Sequence, residues 1–404
     1  MTAGHTELAV SRRCRALPVS PIRRLAPLAD EAKRRGRRII HLNIGQPDLQ
    51  APPSVAESIA GAAGRHLAYA PSRGLPEALD AWVTYYRHHG IEVEPGDIVI
   101  TSGASEALSL AMIATCDPGD EILIPEPFYA PYQGTTAVAG LQLRTVPLGP
   151  GFTPPSLEAI RAAITPKTRA ILICSPNNPT GTVYSREDLL ALGEIVRESG
   201  IFLLSDETYR EIVFDGPPAP SALSIPGLDD HVVVIDSISK RFNACGMRIG
   251  TIVSRNPAVM TAVADLAELR LAVPVIEQLA IAEALSAPEP YISTVVETYR
   301  QRVDALVTAL SRIEGVTCHR PGGGFYVIAQ LPVDDSEQFA AWLLRDFHVD
   351  GETVMVTPMS DFYVTPGRGQ DEIRLACVFD PETLTRAAGI LEAGLAAYPS
   401  RRNA

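Results

Sequence analysis

Through the middle of the chain, apolar residues come in short runs that either alternate with polar ones or continue unbroken. "DIVIT" (97–101), "DEILIP" (120–125), "LQLRTV" (141–146), "RAILIC" (169–174), "IFLLSD" (201–206), "HVVVID" (231–236) and "IGTIVS" (249–254) read as strands. Several are apolar throughout, as a strand covered on both faces requires. Between them the apolar spacing lengthens to three and four. "SEALSLAMIAT" (105–115) and "SREDLLALGEIVRES" (185–199) therefore predict helices, the second opening with Ser185 and Asp188 at capping-box spacing. Alternation of this kind predicts an α/β fold with a mainly parallel sheet.

Proline-containing breaks near 47–53 and 286–290 bracket that region. Beyond them the pattern predicts a long helix over 291–313, a turn at "PGGGF", strand "FYVIAQL", a helix and strand "EIRLACV". This α+β pattern predicts a large domain over 50–288 and a smaller one built from 1–49 and 289–404.

Composition narrows the partners. The chain has 404 residues, 46% of them apolar, and a net charge of −12, which argues against nucleic acid or an anionic membrane as the main partner. The basic stretch from Arg12 to Arg38 is the local exception and reads as a solvated helix face. No apolar run reaches the roughly 20 residues of a membrane span, and the N-terminal segment lacks a signal-peptide core. The six scattered cysteines form no C-x-x-C and suit a reducing cytoplasm, and the eight histidines show no metal-binding spacing.

Ligands of open α/β sheets gather at the carboxyl ends of the strands, so polar residues there carry the candidate chemistry. "DIVIT" runs into "SGASEAL", where the free N–H groups of Ala104 and Ser105 suit an anion such as phosphate. "RAILIC" runs into "SPNNPTG", which holds Asn178 in a turn of residues that turns favour in any case. "IFLLSD" ends on Asp206 with Tyr209 just beyond, and an acid at a buried strand end needs a cationic partner. "HVVVID" leads into "SISKRFNACGMRIG", which carries Ser237, Lys240 and Arg248.

In this order the four strand ends resemble the pyridoxal-phosphate site of the fold type I aminotransferases, class I/II, the aspartate aminotransferase-like group. "NIGQPD" and "YAPSRGLPE" support the resemblance, which runs from Ile39 to Val378. It implies an α/β enzyme that moves an amino group from an L-amino acid to a 2-oxo acid by a ping-pong mechanism, as a homodimer with a shared active site. Lys240 matches the lysine that binds the cofactor covalently and then serves as general base. Asp206 matches the carboxylate under the pyridine nitrogen. Tyr209 and Asn178 match donors to the phenolic oxygen, and Arg248, Ser237, Ala104 and Ser105 match the phosphate cradle. Tyr129 falls where the family stacks an aromatic on the ring, and Tyr69 matches a tyrosine that reaches the neighbouring subunit's phosphate.

For the substrate, Arg374 matches the arginine that grips the α-carboxylate, Gly45 lies against the same group, and Ile44 lines the side-chain pocket. Arg270, in "ELRLAVP", falls near a second arginine that binds a distal carboxylate from the partner subunit, and Arg368 is a weaker candidate. The resemblance thus points to aspartate or glutamate as donor with 2-oxoglutarate as acceptor. Two alternatives stay open: a lyase, decarboxylase or cyclase on the same fold, and a ligand-sensing domain of a transcription regulator. Arg241 has no assigned role and reads as a solvent-facing or interface arginine.

Overall fold

A computed structural model describes residues 9–15, 17–18, 20, 23–62, 64, 66–286 and 288–402. Strand β1 (Arg38–His41) stands apart from a central sheet made of β2 (Ile98–Thr101), β3 (Glu121–Glu126), β4 (Gln142–Pro147), β5 (Thr168–Cys174), β6 (Phe202–Asp206), β7 (Val232–Ser237) and β8 (Gly250–Val253). These are the seven strands expected from the pattern, in the order β2-β8-β7-β6-β5-β3-β4.

Their unbroken apolar runs follow from two covered faces. Leu123, Ile171, Leu203, Val232 and Val234 join a core with Trp82, Leu189 and Leu192. Their chain neighbours Ile122, Leu172, Leu204, Val233 and Ile235 join a separate core with Ala107, Met112 and Val263 on the other side. Successive strand side chains point to opposite faces, so both must be apolar when helices cover both.

The sheet is parallel except at β8, which runs antiparallel to both β2 and β7. A parallel return needs a long crossover connection. Between Ser237 and Gly250 the chain forms only two short helical turns, Ile238–Arg241 and Cys245–Met247, and so comes back antiparallel. That reversal holds Lys240 and Arg248 at the carboxyl edge of the sheet.

Five further strands complete the fold among the described residues: β9 (Thr317–Cys318), β10 (Tyr326–Gln330), β11 (Glu352–Met355), β12 (Thr357–Pro358) and β13 (Glu372–Ala376). An antiparallel sheet runs β12-β13-β10-β9, and β1 pairs in parallel with β11. Leu25, Ile40 and Leu42 share a core with Tyr299, Val303, Leu375 and Leu391, which ties the N-terminal segment to the last third of the chain. The long helix spans Tyr291–Leu310, and Ser185 caps its helix as expected, accepting from the Asp188 N–H at 3.0 Å.

Part of the basic stretch answers to the chain's own carboxylates. Arg34 and Arg35 pair with Glu31, Arg38 with Glu352, and Arg24 with both Glu337 and Asp361. The side chain of Arg12 lies outside the described residues. Among the described residues no helix is long and apolar enough to cross a membrane.

Candidate active site

A cavity of about 400 Å³ opens where the carboxyl ends of β2, β5, β6 and β7 face the segment after β1 and strands β10 and β13. Lys240 stands in the centre of its lining. Its Nζ donates to the Gly45 carbonyl at 3.1 Å and lies 5.7 Å from the Phe325 ring centroid. The lysine sits on a four-residue helical turn whose first N–H groups are satisfied by Ser237, since Ser237 Oγ accepts from the Ser239 N–H at 3.1 Å.

On one side of Lys240 the chain forms a cradle for an anion. The helix Ala104–Thr115 opens on Gly103 in the left-handed region, φ +78°, and directs its free N–H groups into the cavity. A Cβ on Gly103 would collide with the Arg248 guanidinium, and one on Gly250 would strike the Gly103–Ala104 peptide. Both glycines therefore keep Arg248 against the helix start. Its terminal nitrogens donate to the carbonyls of Cys245 and Ser102 at 3.0 and 3.2 Å.

Asp206 terminates β6 at the cavity floor. Its carboxylate accepts from the Tyr132 hydroxyl at 2.7 Å and from the Thr208 N–H at 3.1 Å. Tyr129 meets Tyr132 edge to face, with ring centroids 5.5 Å apart, and burial pushes its hydroxyl up to about 12. Tyr209 shares a 3.2 Å hydrogen bond with Tyr326, and burial drives its hydroxyl well above the ordinary tyrosine value.

Arg374, on β13, faces the same cavity while almost wholly buried. Its guanidinium donates to Asn178 Oδ1 at 3.0 Å and to the Asn43 carbonyl at 2.9 Å, and lies 4.3 Å from the Tyr326 ring centroid. The Asn178 amide oxygen is thereby used, which leaves its nitrogen as the donor. Nε of Arg374 is buried without a hydrogen-bond partner among the described residues, as is Thr208 Oγ1 on the opposite wall. Gly45 is sterically required, because a Cβ there would overlap the Tyr326 hydroxyl.

The family model "Aminotransferase class I and II" matches residues 37–391. The chain belongs to the class I and II aminotransferases. It is 32% identical to an aspartate/prephenate aminotransferase of Thermus thermophilus, over 94% of this chain and 96% of that one. A solved double mutant of the Thermus thermophilus aspartate aminotransferase superposes with a TM-score of 0.88 at 30% identity, covering 96% of this chain and all of that one. An N-succinyldiaminopimelate aminotransferase of Mycobacterium tuberculosis gives 0.86 at 31% identity, with 96% and 100% covered. The overlay extends to the mainly parallel sheet, so the fold is that of the fold type I enzymes.

In this aminotransferase Ile44, Gly45, Ala104, Ser105, Tyr129, Asn178, Asp206, Tyr209, Ser237, Lys240, Arg248 and Arg374 all line one cavity. Three residues singled out in the sequence do not. Tyr69 is 83% exposed, away from the cavity. Arg270 is directed to Glu106 at 2.9 Å and to the Ile100 carbonyl at 2.6 Å. Arg368 lies near Glu372 and Tyr363, outside the lining. Conversely, Tyr132, Thr208, Tyr326, Ser20 and Arg23 line the cavity without having been anticipated. Tyr132 closes "EPFYAPY" and Tyr326 stands in "FYVIAQ", and neither stretch distinguishes a lining tyrosine from a core one.

Arg241 corrects the expectation of a solvent-facing side chain, for it is 1% exposed. Its guanidinium pairs with Asp236 and, at 3.4 Å, with Glu211, and stacks 4.3 Å from the Tyr85 ring centroid. Glu211 also meets His89 at 3.0 Å. Two arginines, Arg210 and Arg241, thus share a dry region behind Lys240 with Glu207, Glu211 and Asp236. Burial opposes charge on Glu211, yet Arg241, His89 and Arg210 together hold it down to about 2. Glu207 has the opposite balance: burial pushes it up to about 7 despite Arg210, the Ala222 N–H and Ser221.

Proposed function

We propose that this aminotransferase works with pyridoxal phosphate on acidic L-amino acids, passing the amino group to a 2-oxo acid such as 2-oxoglutarate. The observation that carries the reading is the short segment from Asn43 to Gly45. Its carbonyls accept from Arg374 at one end and Lys240 at the other, so a carboxylate-binding guanidinium and a reactive amine address one space. The lining suits the cofactor on three counts. Gly103 and Gly250 let Arg248 lie against the helix start, so that its guanidinium and the N–H groups of Ala104 and Ser105 can address one phosphate, Asp206 offers a carboxylate at the floor, and Thr208 Oγ1 is buried without a partner among the described residues.

Bound there, pyridoxal phosphate supplies an electron-withdrawing pyridinium that stabilises negative charge at the substrate Cα. The chain's residues do the rest. Asp206, held by Tyr132 and Thr208, would keep a proton on the cofactor's ring nitrogen. Tyr209 and the Asn178 amide nitrogen would donate to its phenolic oxygen. Arg374 grips the α-carboxylate, with Gly45 and Ile44 beside it, and this turns the Cα–H toward Lys240. Lys240 Nζ then takes and returns that proton. Tyr129, in the same lining, would supply the ring an aromatic surface.

A homodimer with shared sites belongs to the same reading. Leu67, Tyr69, Leu269 and Leu271 are all exposed apolar side chains. Their two segments converge on β2, where Ile100 donates to the Arg73 carbonyl and accepts from Arg270. Tyr69 and Arg270 lie outside their own chain's cavity and are candidates to act in the partner's. The division into 50–288 and 1–49 with 289–404, and a reducing cytoplasmic setting for the six free cysteines, complete the proposal.

The test is spectroscopic and kinetic together. Purified protein given pyridoxal phosphate should gain an absorbance band at the violet edge of the visible and convert aspartate with 2-oxoglutarate into oxaloacetate and glutamate. Lys240→Ala should retain the cofactor non-covalently and lose turnover. Absence of any chromophore after cofactor addition would remove the reading, and release of ammonia or carbon dioxide without a new amino acid would favour a lyase or decarboxylase.

A further inference from the structure

The cavity lining contains four cations, Arg23, Lys240, Arg248 and Arg374, against one carboxylate, Asp206. On the reading above, three of the four have partners. Arg248 and the helix start face the phosphate, Arg374 faces the α-carboxylate, and Lys240 is the reacting amine. Asp206 is used by the ring nitrogen. Arg23 is left over. Among the described residues its guanidinium has no ion pair, whereas the adjacent Arg24 has two.

That difference has a structural cause. Arg24 ties the N-terminal arm to Glu337 at 2.6 Å and to Asp361. Asp361 directly precedes Phe362, whose ring lies 5.2 Å from the Arg374 guanidinium. The N–H groups of Arg23 and Arg24 both donate to the Ser20 carbonyl, at 3.1 and 3.0 Å, just before the helix Ala26–Arg34. Arg24 is thus turned toward the protein as the anchor, while Arg23 and Ser20 border the cavity. Of the arginines considered for a distal carboxylate, Arg270 is directed to Glu106 and Ile100, and Arg368 is outside the lining.

We infer that Arg23, from the chain's own N-terminal arm, binds the side-chain carboxylate of a dicarboxylic substrate and so determines the preference for acidic donors and acceptors. This rests on the proposed reading of the cavity and adds the residue that reads the side chain. An arginine suits the task because its planar fork matches a carboxylate with two parallel N–H donors. An unpaired guanidinium at a cavity mouth, with no competing carboxylate of its own, needs no internal ion pair broken before substrate binds.

The experiment uses cofactor-loaded full-length enzyme and single-turnover half-reactions, so that an acidic acceptor plays no part. Arg23→Ala and Arg23→Lys are compared with wild type on aspartate, glutamate and alanine. A charge-assisted hydrogen bond lost from the bound state predicts a fall of about 10- to 100-fold in efficiency on the two acidic donors. That loss should reside in substrate affinity, with alanine changed less than about threefold, since uniform binding energy is what is removed. Arg23→Lys should recover part of it, and succinate should inhibit Arg23→Ala more weakly than wild type. Equal losses on all three donors, or no loss at all, would overturn the assignment while leaving the proposed function intact. A dicarboxylate-selective loss in Arg270→Ala without one in Arg23→Ala would transfer the role to Arg270. A wild type that turns over alanine but neither acidic donor would sink the proposed donor class itself, and this assignment with it.

Discussion

The Tyr132 hydroxyl donates to Asp206 Oδ2 across 2.7 Å at the floor of the cavity, with both side chains buried. Burial, and then the neighbouring Asp206 charge, drive the Tyr132 hydroxyl well above its ordinary value, so it remains a donor at any working pH. Among the described residues, the carboxylate of Asp206 gains one other hydrogen bond, from the Thr208 N–H. Tyr132 therefore supplies half of what fixes that carboxylate.

Tyr132→Phe keeps the ring and removes only this donor. A hydrogen bond to a charged group contributes about 1.5–3 kcal/mol, so turnover should fall about 10- to 100-fold. Because Arg374 and Asn178 are untouched, KM for the amino acid should change far less. Steady-state kinetics at saturating cofactor checks the split, and a loss confined to KM would refute it.

Arg241 compensates Asp236 and Glu211 in a buried region. Removing one member of a buried charge group strands the others. Arg241→Met should therefore lower unfolding stability by about 3–5 kcal/mol. Urea denaturation at neutral pH measures it, and adding Asp236→Asn should return part of the loss. Unchanged stability in the single variant would mean that solvent reaches the cluster.

Glu207 gives the stability a pH dependence of defined sign. Its folded value is raised to about 7 from an ordinary 4.5. Below the ordinary value it is neutral in both states, and its contribution is fully present. As pH rises toward 7 the unfolded chain releases the proton while the folded chain retains it, and that contribution is lost. Glu211, held down to about 2, acts in the opposite sense: its contribution is present above 4.5 and lost as pH falls toward 2. Melting temperature against pH for wild type and Glu207→Gln separates the two. The variant should show a flatter decline between about 4.5 and 7, and parallel curves would exclude a titrating Glu207.

Local rules made much of the large sheet legible. Most of the seven strands were readable because a strand covered on both faces must be apolar at consecutive positions, the edge strand β4 because its apolar residues alternate, and Ser185 with Asp188 marked a helix start through contacts three residues apart. Strands β1, β9, β11 and β12, two to four residues long, were not read from the sequence, and exist because partners distant in the chain complete them. The antiparallel turn into β8 was not readable either, since it depends on how little helix lies between Ser237 and Gly250.

The same division holds at the cavity. Asp206, Lys240 and Arg248 stood out in the sequence because each is a polar group at the end of an apolar run, a costly position unless something answers it. Their association with Arg374, Tyr326 and Arg23 depends on chain segments that meet only in the folded state. Lys240 and Arg241 show the limit most sharply. Adjacent in sequence, they are indistinguishable as charges, yet one borders a cavity and the other is enclosed with two carboxylates. The sequence by itself determined which positions alternate, cap and end strands, because those properties depend on near neighbours along the chain. Only the tertiary structure decided which charges are desolvated and which are left unpaired at the cavity, because both depend on every atom within a few ångströms, however far away in sequence.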